Sequence, residues 1–374
     1  SLASLASQTN LNYQKLQYFF SESHWDINQL NAIRLKILNN QVTTRPSSQS
    51  VLAIDDTACP KPHAQNTEGV KFQHCGSLGR EEKCNVAVAS CFVSSAKHCP
   101  VDFKSYLPDA PAEVFKSKLD LAKELILGAI NQNLPFRAVV FDSWYTSSDL
   151  IEFIAAHSLS LVAEVKSNRS ILFVHPKTKQ RIHLRVDQII PLIKEFFPHK
   201  LKNVSIPQAN GQIKSVLTYS FQSKLKDCST PLQILFIFDK WSSGDDKDIH
   251  VLITNNLAFS PETIIKTYLL RWGIEESFRE LKDDFCFDQY QVRHQEQIQR
   301  HWILAFLAWS LTYWIKQNGC LSKIIDQPPQ SIGQCKDAIA SLIIVDSAFF
   351  LSKNPNLAQI FGIKSKRFLE RYEN

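Results

Sequence analysis

Four residues near position 270 have side chains that can bind phosphate and a metal ion: Tyr268, Arg271, Glu275 and Lys282. On one α-helix, at about 100° per residue, they would fall within an arc of about 60°. Apolar residues at helical spacing lie beside this arc, so the helix can pack on a core and present the four side chains along a cleft. A carboxylate among cations suits metal-dependent phosphoryl transfer on DNA, because the carboxylate binds the ion and the cations bind phosphates.

Acidic residues also follow two short apolar strands. Asp55 and Asp56 end a strand predicted over residues 51–54, and Asp142 ends a strand predicted over 136–141. Three carboxylates from distant parts of the chain suit hard divalent ions such as Mg²⁺. We predict Asp56, Asp142 and Glu275 as catalytic and metal-binding residues. Asp55 is the alternative to Asp56, because strand alternation cannot choose between neighbours on a strand that is covered on both faces.

The run from Tyr268 to Lys282 resembles the Y-(2)-R-(3)-E-(6)-K signature of a branch of bacterial insertion-sequence DDE transposases. Two other blocks resemble this family in the same order: AIDDT at 53–57, and VVFDSWYTSSD at 139–149 followed by LVAEVKSN at 161–168. The resemblance implies an α/β fold with a ribonuclease H-like catalytic core. It also places the first metal ligand directly before Thr57, which favours Asp56. The implied activity is cleavage of mobile-element ends and their joining to target DNA, with two Mg²⁺ or Mn²⁺ ions.

The same resemblance implies that Arg271 and Lys282 hold the phosphates of the element end and that Tyr268 supports them. Lys61 lies just beyond the first aspartates, where it could reach DNA or be an ordinary surface lysine. Relatives that cut through a DNA hairpin hold a flipped base with an aromatic residue. His250 stands nearest to that position and Trp241 is the alternative, so the hairpin route stays open.

A basic segment separates the second and third acidic positions. Residues 166–226 contain twelve Lys or Arg and two Asp or Glu, a net charge of +10 against +6 for the whole chain. Short alternating strands are predicted here, with an Asn210-Gly211 hairpin turn, so the segment is interpreted as a β-rich insertion. Its cations, among them Lys177, Lys179 and Arg181, would line a DNA path unless they are only solvated.

The N-terminal region has the pattern of a helix-turn-helix. Residues 2–19 fit its latter part, with the turn near Asn10, although an ordinary helical hairpin fits as well. The second helix would present a set of polar residues to DNA: Tyr13, Gln14, Lys15 and Gln17.

The predicted organisation has a helical DNA-binding region, a catalytic core in two parts, a β-rich basic insertion between them and a C-terminal helical region. The corresponding residues are 1–45, 51–167 with 259–318, 168–258, and 319–374.

The remaining features bound the class of protein. No run of apolar residues is long enough to span a membrane, and nine cysteines without a C-x-x-C pair favour a reduced, cytoplasmic protein without a zinc site. The absence of methionine indicates that the sequence is not the whole translated product or lacks its Met positions. We expect a bacterial, nucleoid-associated homodimer on double-stranded DNA, since two element ends must be paired. The alternatives are an inactive, domesticated DNA-binding protein and a ribonuclease H-like nuclease without strand transfer.

Overall fold

The computed structural model describes residues 12–76, 78–207, 212–238 and 249–353. Contacts divide the chain into two compact units. The sheet unit comprises the described parts of residues 46–62 and 69–278, and the helical unit comprises the described parts of residues 1–45, 63–68 and 279–374.

Twelve strands and nine α-helices lie in the described residues. The strands are β1 Val51–Pro60, β2 Lys71–Cys75, β3 Arg80–Val93, β4 His98–Tyr106, β5 Ala138–Phe141, β6 Leu161–Glu164, β7 Ser170–Val174, β8 Arg181–Arg185, β9 Lys202–Pro207, β10 Ile213–Ser223, β11 Leu232–Phe238 and β12 Ile249–Thr254. The helices are α1 Tyr13–Ser21, α2 Ile27–Asn39, α3 Lys118–Asn131, α4 Ser148–Ala156, α5 Val186–Phe196, α6 Pro261–Leu269, α7 Trp272–Asp283, α8 Gln295–Gln317 and α9 Ile332–Lys353.

A ten-stranded sheet forms the centre of the sheet unit. Its order is β2-β3-β1-β5-β6-β12-β11-β10-β9, with β4 paired to β3. The β1–β5 and β5–β6 pairs are parallel, and the other neighbours are antiparallel. The three central parallel strands are short, almost uninterrupted apolar runs, as expected for strands covered on both faces. The result is a mixed α/β fold with one large sheet.

Strands from the predicted insertion, residues 168–258, belong to the same sheet. β9 to β12 extend it beyond β6, and β12 pairs directly with β6 through Leu252↔Glu164. The segment also contains helix α5, whose buried residues Val186, Ile189, Ile190 and Ile193 have helical spacing. β7 and β8 form a separate two-stranded sheet.

The predicted helix through Tyr268 to Lys282 is wrong in one respect, because it is broken into α6 and α7. Ser260 begins α6 as predicted, since its side chain accepts the Thr263 N–H at 3.1 Å. Leu270 and Arg271 then form a tight turn, in which Arg271 N donates to Tyr268 O at 2.9 Å. Gly273 follows, a poor helix former whose backbone lies so close to Val93 that a Cβ would overlap the valine methyl groups.

Helices α1, α2, α8 and α9 make up most of the helical unit. Arg34 of α2 is buried there, where it donates to Ser310 Oγ of α8 at 2.9 Å and lies over the Phe306 ring. α1 has no buried residue, so Tyr13, Gln14, Lys15 and Gln17 are exposed. The predicted first helix of the helix-turn-helix and Asn10 of its turn lie outside the described residues. Within the described chain, no helix has the length and apolar character needed to cross a membrane.

Candidate active site

The sheet brings the second of the predicted acidic positions beside the first. β1 and β5 pair in parallel from Val51↔Ala138 to Ile54↔Phe141. Asp55 and Asp142 are each the next residue after the final pair. This shared register places their side chains at the same edge of the parallel strands, although β1 itself continues to Pro60 along β3.

Asp55 points toward the broken signature helix. Its Oδ2 accepts a hydrogen bond from Arg271 Nη1 at 3.1 Å. The pKa of Asp55 is raised to about 7 by burial first, and then by the neighbouring carboxylates of Asp142 and Asp56. Repulsion between carboxylates that are close together and poorly hydrated therefore has to be balanced by a cation at this position.

Arg271 supplies such a cation in this structure. Its other terminal nitrogen, Nη2, donates to Glu275 Oε1 at 2.7 Å. One guanidinium thus joins Asp55 of β1 to Glu275 of α7, and the Arg271 side chain is largely buried between them. The broken helix makes this possible, because the turn at residues 270–271 directs Arg271 back across the sheet edge.

Asp56 lies on the opposite face of β1 and already has two partners. Lys118 Nζ of α3 donates to its Oδ2 at 2.8 Å, and the Tyr145 hydroxyl donates to its Oδ1 at 3.0 Å. Lys118 itself lies over the rings of Tyr106 and Trp144. The pKa of Tyr145 is held well above its usual value by burial and then by Asp56 and Asp55, so the phenol stays a donor.

Asp142 is fixed by the chain that follows it. Its Oδ1 accepts the backbone N–H groups of Trp144 at 2.9 Å and Tyr145 at 3.4 Å. This Asx-type turn ends β5 and holds the carboxylate in place beside Asp55. Asp149, by contrast, lies in the first turn of α4, where Lys123 Nζ donates to its Oδ2 at 2.5 Å.

Glu164 is a member of the cluster that the sequence reasoning missed. It ends β6 and accepts hydrogen bonds from Tyr268 Oη at 3.1 Å and from His250 Nδ1 at 2.9 Å. The His250 hydrogen bond is the main reason that the pKa of Glu164 is lowered. Its position after a buried apolar strand, like that of Asp142 after β5, was a signal in the sequence.

The other predicted residues lie away from these contacts or outside the described chain. Lys282 occupies the last turn of α7. Lys61 follows β1, and its backbone N–H donates to Lys83 O at 2.7 Å. Lys177 is ion-paired with Glu195 at 3.6 Å. Lys179 and Arg181 are exposed beside β8, and Trp241 is not among the described residues.

Carboxylates are suitable ligands for a hard divalent ion. In the described part of the chain, however, no three His, Cys, Asp or Glu side chains are grouped so as to hold a metal ion. Arg271 lies between Asp55 and Glu275 and hydrogen-bonds both.

Comparison with known proteins agrees with this combination of fold and acidic cluster. Residues 1–185 match the family model described as "DDE superfamily endonuclease", and residues 109–288 match the model "Archaeal putative transposase ISC1217". Fold, site and matched families define a DDE-type nuclease. The "Probable transposase for insertion sequence element IS701" of Microchaete diplosiphon is 22% identical over 301 residues, which cover 77% of this chain and 71% of the relative. Together these matches support an insertion-sequence DDE transposase, so the family recognised from the sequence is confirmed.

Proposed function

We propose that this protein cleaves the DNA ends of an insertion sequence and joins them to target DNA by two-metal phosphoryl transfer. The observation that carries the proposal is the guanidinium of Arg271, which hydrogen-bonds both Asp55 and Glu275, while Asp142 occupies the position equivalent to Asp55 at the end of β5. The core would be ribonuclease H-like, made of residues 51–167 and 259–318, with 168–258 as the insertion.

Asp55 is the first carboxylate of the proposed catalytic set. The resemblance favoured Asp56, but in this structure Asp56 is engaged by Lys118 and Tyr145 on the other face of the strand. Asp55, by contrast, shares Arg271 with Glu275, and its pKa is raised by burial and then by Asp142. Carboxylates on one face of the sheet can act on the same phosphate. Asp56 lies on the opposite face of β1, so its side chain would have to extend around the strand.

Asp55, Asp142 and Glu275 would hold the Mg²⁺ or Mn²⁺ ions after Arg271 leaves them. Bound there, divalent ions would lower the pKa of the attacking water or hydroxyl and stabilise charge on the phosphorus. Arg271, once displaced, can form bidentate contacts with a phosphate. Arg271 and Lys282 would thus position the DNA end, and the hydrogen bond to Glu164 would orient Tyr268 beside them.

DNA binding beyond the site would come from the basic segment and from α1, whose polar residues are exposed. Two ends have to be held together for transposition, so we infer a homodimer on DNA. These partners follow from the proposed function and are tested with it.

The experiment is cleavage of a labelled element-end duplex in Mn²⁺, followed by a strand-joining assay. Asp142→Asn preserves the shape of the side chain and removes its charge, so cleavage should fall by orders of magnitude while end binding survives. Asp149→Asn, on the same segment but outside the acidic cluster, is the matched control and should cleave normally. Asp55→Asn should be as inactive as Asp142→Asn.

The outcomes separate the alternatives. Cleavage by Asp142→Asn at the wild-type rate would refute the site. Binding of ends without cleavage by the wild type would identify an inactive DNA-binding protein, and cleavage without joined product would identify a nuclease. If Asp56→Asn lost activity and Asp55→Asn retained it, Asp56 would be the first metal ligand.

A further inference from the structure

A cavity of about 540 Å³ lies in the basic segment, away from the acidic cluster. Its walls come from β7, β10 and the short 3₁₀ helix Pro198–Lys200. The floor is aromatic and consists of Phe173, Phe197, Tyr219 and Phe221. His250, one of the two predicted flipped-base residues, does not line it.

The aromatic rings pack against one another in a continuous array. The Phe197 and Tyr219 rings are stacked with centroids 5.5 Å apart, and Phe173 meets Phe221 edge to face at 5.4 Å. Phe173 and Tyr219 are buried, whereas Phe197 and Phe221 are partly exposed. Phe197 and Phe221 therefore keep part of their ring surface at the cavity, where it can contact a planar aromatic ligand.

The rim of the cavity is cationic. Four exposed basic side chains line it: Lys179, Arg181, Lys200 and Lys224. Among the residues that the structure describes, no acidic side chain lines the cavity and none of these four forms an ion pair. Lys200 Nζ also lies 5.2 Å from the centre of the Phe197 ring. Positive charge is thus placed around an aromatic floor, with no carboxylate among the described lining residues.

We propose that this cavity binds an unpaired nucleotide of a DNA strand, with the base on the aromatic floor and the flanking phosphates on the basic rim. Aromatic rings and cations together are the combination by which proteins bind single-stranded nucleic acid. A base inside a duplex is already stacked and cannot present its face to a concave floor. This inference rests on the proposed function for the choice of DNA, and it adds a second substrate contact in the insertion.

The test uses the full chain, without divalent metal, and a labelled oligothymidine of about ten nucleotides, within the range bound by single-strand binding folds. Phe197→Leu keeps apolar volume but removes the ring, and should weaken binding about tenfold. Lys200→Ala with Lys224→Ala should lower the log–log salt slope by about 0.7 for each phosphate that is no longer neutralised. Lys226→Ala is the matched control, since Lys226 is equally exposed but does not line the cavity.

Binding of the double lysine variant with an unchanged slope would overturn the proposal, and so would an equal loss in Lys226→Ala. The lysines are exposed, so their variants stay informative even if Phe197→Leu fails to fold, which circular dichroism would reveal. Competition by free thymidine monophosphate as effective as by the oligonucleotide would identify a free-nucleotide site and refute the strand-binding role. Because no cleavage is measured, failure here is distinguishable from failure of the catalytic proposal.

Discussion

In this structure Arg271 neutralises Asp55 and Glu275, whereas in the proposed reaction it contacts phosphate, and it cannot do both at once. Buried carboxylates without a counter-charge are costly, so in the proposed reaction the arginine would stabilise the site until metal and DNA replace it. Metal ions compete with Arg271 for the carboxylates, and DNA phosphates compete with the carboxylates for Arg271. Metal binding and end binding should therefore favour each other.

Glu164 provides a test of the polar cluster that does not depend on activity. Its folded-state pKa lies below the usual 4.5, mainly because of the His250 hydrogen bond. A depressed carboxyl pKa adds stability above about pH 4.5, and that stability is lost as the pH falls through the folded-state value. Between neutral pH and pH 4, the wild type should therefore lose more stability than Glu164→Gln.

Denaturant unfolding at several pH values measures this difference. Glu262→Gln is the control, because Glu262 is an exposed carboxylate paired only with Lys266 within α6. Parallel stability curves for the wild type and Glu164→Gln would show that the hydrogen bonds to His250 and Tyr268 do not contribute to folding.

The choice between Asp55 and Asp56 shows what the sequence alone could not supply at this scale. Both follow the same apolar run, and alternation places them on opposite faces without saying which face carries the site. The proposal of Asp55 uses the position of Arg271, which is 216 residues away from Asp55 in sequence. Asp142 and Glu275 were proposed from the sequence alone, Asp142 from its place at the end of an apolar strand and Glu275 from its place in the signature.

At the scale of elements, the sequence predicted the apolar strands and capped helices well, but it missed places where tertiary packing decides. β4 was not predicted from the sequence, although Cys99, Val101 and Phe103 occupy alternate positions and are buried. The signature helix was expected to be continuous because the helical spacing of its apolar residues is continuous. Its break follows from the approach of Gly273 to Val93, which only the folded sheet brings about.

Replacement by alanine is expected to have opposite effects on stability at Gly273 and at Gly128. Gly273→Ala should destabilise the protein by about 1–3 kcal/mol, because the added methyl overlaps Val93 in a packed interior. Gly128→Ala should stabilise it by about 0.5–1 kcal/mol, because Gly128 lies inside α3 and an added Cβ meets only Asp102 at 3.9 Å.

Thermal and denaturant unfolding compare the two variants with the wild type. Val93→Ala combined with Gly273→Ala should recover part of the loss, since it removes the methyl groups that clash. An undiminished loss in the double variant would mean that Gly273 is required for the backbone of the turn and not for its packing.

At the scale of the whole molecule, charge is distributed unevenly. The basic segment carries +10 in a chain of net charge +6, and it includes the rim of the aromatic cavity. A region of one sign attracts DNA from a distance and makes binding sensitive to salt. The sequence revealed this region directly, because counting charges needs no structure. It did not reveal that β9 to β12 share a sheet with β1, β5 and β6.

Neutralising Lys177, Lys179 and Arg181 together should weaken binding to an end duplex and lower the log–log salt slope by about 0.9 for each phosphate that is no longer neutralised. The matched control removes Lys116, Lys123 and Lys266, which lie outside the basic segment and are held in ion pairs. Filter binding over a salt series measures both. Equal slopes for the two triple variants would show that the segment acts only through net charge.

The strand order has a consequence for how the chain acquires its activity. β1 can pair with β5, and β6 with β12, only after the later strand of each pair has been synthesised. The central sheet therefore forms only through contacts between segments that are distant in sequence. Such a topology folds slowly, because the entropy of closing long loops is lost before the contacts compensate for it. During synthesis, Asp55 and Asp142 would emerge long before Glu275, and Arg271 emerges almost with it. A nascent chain that ends before Glu275 would therefore have no complete acidic cluster, and the nuclease would become competent only after nearly the whole sheet unit has been made.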